Sequence, residues 1–308
     1  MTDRAPRPVV AGLDGSPESL AAADWAASEA RYRGAPLRLL YAWEPAPAGR
    51  LGIRGPETPP EWASRVLPDA ARELRRRHAD LDVQTRQYAD DAVSVLTEAA
   101  EEAELLVLGS RGLSGLTGFL VGSVAMAVVA RTERPVVLVR APGQATREHP
   151  PGRVPDTEGD ASGGTPRPEV VLGAKLSPDA DALFRFAFDT AARRGVRLRV
   201  VHTWNFPPVF GYAAGVPDPS LLRDLGAEEA QALEAALAPW RERYPQVEVV
   251  PEVISGRAGP HLAEAGASAQ LVVVGRRFRR TRLGSRIGPV AHAVMHHCAA
   301  PVAVVPHG

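Results

Sequence analysis

Apolar residues gather in short runs along this chain, separated by stretches with helical spacing. Four runs in the first half, at about 8–13, 37–43, 104–108 and 135–140, are almost continuously apolar, as strands buried on both faces of a parallel sheet are. A weaker run near 82–88 alternates polar and apolar positions and reads as a further strand. Between the first two runs, Ser16-Pro17-Glu18 marks a helix start: the serine can cap free amides and proline suits the first helical position. Gly34 suits the left-handed end of that helix. A helix after Pro60 meets Pro68, which would interrupt it at a cost of about 3 kcal/mol if interior. The predicted order is β-α-β-α-β-α-β-α-β, a doubly wound α/β sheet with ligands expected at the C-terminal strand ends.

The pattern then repeats. Val9-Val10-Ala11-Gly12-Leu13-Asp14-Gly15-Ser16-Pro17 returns as Val170-Val171-Leu172-Gly173-Ala174-Lys175-Leu176-Ser177-Pro178. Leu105 to Gly109 matches Leu271 to Gly275, and Pro135 to Val139 matches Pro301 to Val305, with no gap from Gly109 onward. Ser177-Pro178-Asp179 and Gly195 repeat both helix signals, and Leu221 to Trp240 has clean helical spacing. Residues 141–167 are rich in Pro, Gly, Ser and charge, with little to bury, and read as a linker spanning roughly 30 Å as a coil. The chain therefore divides into domains at 1–140 and 168–308. Its 308 residues suffice for two cores.

Composition narrows the classes. Net charge is zero, which argues against bulk attraction to nucleic acid or anionic membrane. Cys298 is the sole cysteine, so no internal disulfide forms. No run approaches the roughly 20 apolar residues of a membrane helix, and the N-terminus lacks an apolar signal core. A cytoplasmic location is expected.

The most informative local segment runs from Gly109 to Ser123. Glycines at 109, 112, 115, 118 and 122 follow a strand, and a helix-like apolar stretch begins at Val124. Glycine lets backbone amides turn toward an anion, and a helix start adds unpaired amides and positive dipole density. The segment lacks the Gly-Lys-Ser/Thr of a Walker A loop; Lys175 is the only lysine in the chain. It also follows the fourth strand, whereas the dinucleotide fingerprint follows the first.

Gly109-x2-Gly112-x9-Gly122-Ser123 resembles the ATP-binding signature of universal stress proteins, with every spacing met. The first strand ending in Asp14 and the closing Pro-Val-Val-Leu-Val strand also resemble that family, and the likeness spans both copies. The resemblance implies two tandem five-stranded parallel sheets flanked by helices, of the adenine nucleotide alpha hydrolase-like type. It implies ATP, with Mg as a possible companion, and pairing through last strands, within the chain or as a homodimer. Carried over, Asp14 would contact the nucleoside end, the backbone near Ala42 would read adenine, and Gly109, Gly112, Gly122, Ser123 and Val124 would cradle ribose and phosphates. Arg111 reads as an exposed arginine or as added charge near the phosphates. The last strands, apolar on both faces in each copy, are expected to pair with each other across a pseudo-two-fold.

The second copy departs from the signature. Asp14, Gly112 and Ser123 become Lys175, Phe278 and Pro289; Gly275 and Gly288 survive, and Gly284-Ser285 offers another phosphate contact. Its loop is rich in arginine, from Arg276 to Arg286, which reads as a solvated loop or as an anion site. His292 and His296 stand four apart near a helix end, where histidine suits the dipole; metal binding is not expected. Asp90 and Asp91 precede a helical run and read as caps. No ordered base and nucleophile stand out. The leading function is therefore an ATP-binding stress regulator without efficient turnover. A slow ATPase or adenylyl-transfer enzyme, and a scaffold without ligand, are the alternatives.

Overall fold

The computed structural model describes residues 6–44, 61–110, 121–141, 168–205, 219–277 and 287–308. The chain forms two compact units, Met1–Arg153 and Val154–Gly308. Each is an α/β sheet flanked by helices, as the apolar runs predict.

In the first unit the strands are β1 (Val9–Leu13), β2 (Leu37–Ala42), β3 (Val83–Tyr88), β4 (Leu105–Gly109) and β5 (Val136–Val139). All pair in parallel, in the order β3-β2-β1-β4-β5. The chain runs outward from β1 to β3 and then returns to β4, so the winding reverses between β1 and β4. A crevice opens at the strand ends of such a reversal. The central strands hold the core: Val9, Val10, Ala11, Leu37, Leu39 and Leu105 are fully buried.

Helix α1 (Pro17–Arg33) begins and ends where its residues dictate. Ser16 caps it by accepting from the Ser19 amide at 3.2 Å, and Gly34 closes it at φ 59. Its buried face is made of alanines at 22, 23, 26, 27 and 30, which bring the helix axis close to the sheet. Helix α2 (Glu61–Arg77) runs unbroken through Pro68, contrary to the expected interruption. Proline removes one amide donor to the Ser64 carbonyl, and burial of Ala63, Leu67, Ala70, Ala71 and Leu74 offsets that loss with several kcal/mol of apolar contact. Helices α3 (Ala92–Glu102) and α4 (Ser123–Arg131) complete the unit.

The second unit contains β6 (Glu169–Ala174), α5 (Asp181–Arg194), β7 (Arg197–Trp204), α6 (Pro219–Arg243), β8 (Val249–Ser255), α7 (Ala258–Ala265), β9 (Leu271–Arg277), α8 (Pro289–His297) and β10 (Val302–His307). Its order, β8-β7-β6-β9-β10, repeats the first. One predicted signal fails here. Helix α5 starts at Asp181, after Ala180, and has no side-chain cap. The Ser177 hydroxyl donates to the Asp179 carboxylate, and the Ala180 amide turns back onto the Ser177 carbonyl at 3.0 Å. Ser177 thus closes a turn where Ser16 opens a helix. Trp240 stacks on Phe184 and Phe188, with ring centroids 6.0 and 5.8 Å away, and anchors the long α6 against α5.

Candidate functional site

A cavity of about 230 Å³ lies at the winding reversal of the first unit. Asp14 leaves the end of β1 beside it, Ala42 ends β2, Gly109 ends β4, and Gly122, Ser123 and Val124 open α4 across from them. These six positions were all expected from the sequence, and one cavity gathers them. Arg111 and Gly112 lie outside the described residues.

Each wall has a local cause. The Asp14 carboxylate is fixed by its own turn: Oδ1 accepts from the Ser16 amide at 2.9 Å and from the Ser16 hydroxyl at 2.5 Å. Gly15, between them, has φ 82, a left-handed conformation that glycine takes without strain. Ser16 therefore caps α1 and holds the carboxylate at once. Burial, and then the Asp14 charge, push the neighbouring Tyr41 hydroxyl up from its ordinary value, so the tyrosine stays neutral beside the site.

The opposite wall is a source of donors. Helix α4 begins at Ser123 with Gly122 as its N-cap and no side-chain cap. The first helical hydrogen bond runs from the Met126 amide to the Gly122 carbonyl at 3.0 Å, which leaves the amides of Ser123, Val124 and Ala125 without helical acceptors. A Cβ added to Gly122 would meet nothing within 4 Å. Glycine there keeps open the space in front of the amides, where an anion is favoured by the helix dipole. Val124 is 39% exposed and offers apolar surface at the mouth.

Gly109 has a different reason. A Cβ on it would lie 2.7 Å from the Glu18 carbonyl carbon and the Ser19 nitrogen. Its lack of a side chain lets the first turn of α1 sit against the end of β4. Sequence reasoning assigned this glycine to the ligand alone.

It also missed the apolar base of the cavity, supplied by Leu40, Ala92, Leu96 and Leu108. Leu40 and Ala42 share a face of β2 by alternation, and Ala92 and Leu96 share a face of α3. That periodicity was the available signal. Asp91 caps α3, accepting from the Ser94 amide and hydroxyl at 2.8 Å each. Hydrogen bonding from that Ser94 amide is the first cause of its lowered pKa.

The corresponding place in the second unit is built otherwise. Lys175 follows β6 and is exposed, and Pro289 opens α8 behind the N-cap Gly288. Gly275 is crowded by the His307 ring, which would lie 2.7 Å from an added Cβ. Gly284 and Ser285 lie outside the described residues. Burial, the largest cause, pushes the His307 ring down from its ordinary pKa; Asp179, 3.6 Å away, opposes this, and Lys175 and Arg277 reinforce it. At that distance Asp179 acts electrostatically and not as a hydrogen-bond partner. The folded ring resists a proton that the unfolded chain accepts near pH 6.5, so this contribution is present above that pH and lost as the pH falls. Urea unfolding between pH 7.5 and 5 should show the second unit weakening, and His307→Gln should flatten the slope. An unchanged slope would place the titration elsewhere.

With that geometry in hand, the sequence model of the universal stress protein family matches residues 6–140 and 167–306. The chain belongs to the universal stress protein family. It is 33% identical over 311 residues to a universal stress protein of Mycobacterium tuberculosis, covering 96% of each chain. A universal stress protein of Mycolicibacterium smegmatis is 32% identical over 310 residues, again with 96% of each covered. The crystal structure of a universal stress protein from Archaeoglobus fulgidus superposes with a TM-score of 0.65 at 18% identity, over 98% of this chain and 99% of that one. This last likeness concerns the fold. Both matched segments of the family model coincide with one sheet each, so the tandem universal stress protein architecture accounts for both units. Among the described residues, no helix is long and apolar enough to cross a membrane.

Proposed function

We propose that the first unit binds adenine nucleotide, ATP in particular, as a regulatory ligand that is not efficiently turned over. The observation that carries the reading is the convergence on one cavity of uncapped α4 amides, the open space at Gly122 and the fixed Asp14 carboxylate. The α4 start suits phosphates, the apolar base suits a flat ring, and Asp14 accepts hydrogen bonds from a nucleoside. Magnesium, where it accompanies the triphosphate, would be held mainly by phosphate oxygens and water, since Asp91 is engaged as a cap. The one carboxylate–hydroxyl pair described in this cavity, Asp14 with Ser16, is engaged in the turn that caps α1, which favours binding over catalysis. The same reading keeps the expected pairing of β5 with β10, supported by each strand's place at the end of its own unit's strand order.

Isothermal calorimetry on the full chain tests it. ATP should bind with about one site per chain, because the second unit lacks the aspartate and the serine of the signature. Gly122→Ala should weaken binding at least tenfold while leaving the unfolding midpoint within about 1 kcal/mol of the parent, the usual range for an N-cap change. Equal affinity in that variant would remove α4 from the site, and two equal sites per chain would overturn the assignment to one unit.

A further inference from the structure

Ser110 follows Gly109 at the end of β4, and its amide donates to the Val139 carbonyl at 2.8 Å. The strand geometry therefore extends through it, and side chains alternate across a strand. An added Cβ on Gly109 would face the first turn of α1, so the Ser110 side chain takes the other face of the sheet. Leu108 shares that face and lines the cavity. It meets Leu96 of α3 there, since a Cβ on Gly12 would lie 2.8 Å from both leucines, and α3 packs against α4. The matching residue of the second unit, Arg276, is as buried as Ser110, at 1% exposure, so this position points inward in both copies. Within the first unit the buried Ser110 Oγ has no hydrogen-bond partner among the described residues. Folded proteins keep few such atoms, because each has given up water without replacement.

We propose that Ser110 is a further ligand residue of the first-unit cavity, its hydroxyl donating to a phosphate oxygen seated at the start of α4; the assignment rests on the nucleotide reading above. The hydroxyl lies one step beyond Leu108 on the cavity face, toward the strand ends where the uncapped α4 amides stand. No hydrogen bond fixes its χ1, so rotation between staggered positions turns Oγ toward the cavity without moving the backbone. A phosphate oxygen is the acceptor that suits it. Hydrogen bonds to a charged oxygen are stronger than those between neutral groups, and shielding from bulk water strengthens them further. Ser110 thereby adds a side-chain donor to a wall built of backbone amides. It reads the phosphate and not the nucleoside, so it sets a preference for phosphorylated ligands over adenosine.

Calorimetry on the full chain, with ATP and adenosine as separate probes, tests this together with urea unfolding of the ligand-free protein. Ser110→Ala should bind ATP at least tenfold more weakly and adenosine within twofold of the parent. It should unfold at the parental midpoint or above it, because alanine removes an unpaired buried oxygen. Ser110→Cys, close in size and a weaker donor, should lose ATP affinity in the same direction. Undiminished ATP affinity in Ser110→Ala would overturn the assignment and leave the nucleotide reading intact. Failure of the parent to bind ATP would sink that reading first, and this one with it. An equal loss with adenosine would take the hydroxyl off the phosphate. A lowered midpoint in Ser110→Ala would show the hydroxyl already held in the free protein, by an internal water or by the fold, and would also overturn the assignment.

Discussion

Gly109→Ala should unfold the first unit far more readily than Gly122→Ala, the other described glycine of the signature. The added carbon would lie 2.7 Å from two backbone atoms of the first turn of α1. Backbone cannot rotate away as a side-chain tip does, so β4 and α1 must separate. Overpacking of this kind costs about 1–3 kcal/mol, occasionally more, and the backbone contact puts Gly109 at the upper end. With a urea slope of about 2 kcal/mol/M, the unfolding midpoint should fall by about 1.5 M. Gly122→Ala is the contrasting case, because nothing lies within 4 Å of its added carbon. One glycine of the signature should therefore behave as a folding residue and the other as a ligand residue. The second unit supplies a third comparison: Gly275 faces the His307 ring and a Leu183 methyl, both side-chain groups, so Gly275→Ala should cost less than Gly109→Ala. A Gly109→Ala protein of parental stability that has lost only nucleotide affinity would reverse this account.

The contrast shows which parts of the molecule the sequence could disclose. Strands announced themselves because continuous apolar runs have few other uses, and every predicted strand of the first unit appears within a residue or two of its expected place. The positions around the cavity were legible because Gly109, Gly122 and Ser123 keep the spacing of the signature and Asp14 ends the first apolar run. What stayed hidden depends on contacts between distant segments. The role of Gly109 needs Glu18 and Ser19 in space, 90 residues earlier in the chain. Pro68 looked like a break because propensity was weighed without the burial of Leu67 and Leu74 on either side. Ser177 looked like Ser16 because both precede proline, yet Asp179 draws its hydroxyl into a turn. His292 and His296 looked like complements to a helix dipole, and the 4.3 Å contact between their ring centroids shows only once α8 is built. Local rules predict elements well; the competing partner of each polar side chain is a tertiary fact.

Such a partnership underlies the other large expected effect. Arg33 lies in the last turn of α1 with its side chain 3% exposed, bonded to Glu29 at 2.6 Å and to Glu104 at 2.5 Å. The Glu29 side chain is 1% exposed. Burial works against the arginine charge, but the two carboxylates outweigh it and hold the guanidinium pKa above its ordinary value. Glu104 immediately precedes β4, so the cluster pins the end of α1 to the base of that strand, at the opposite end from the cavity. Removing one member of a buried pair costs about 3–5 kcal/mol, because the remaining charge stays out of water. In Glu29→Ala, Glu104 still faces the arginine, so the loss should fall near the lower limit, about 3 kcal/mol, read as a urea midpoint lowered by about 1.5 M. Ionic strength separates this cluster from surface pairs: 1 M salt should leave the Glu29→Ala deficit almost unchanged, since buried charges are little screened. Exposed pairs such as Arg76–Glu73 should contribute little and lose it in the same salt. ATP affinity of Glu29→Ala, measured in the native baseline, should stay within twofold, because the damage lies at the far end of the sheet. A deficit that disappears in 1 M salt would show that water reaches the cluster and that α1 is held by its alanine face alone.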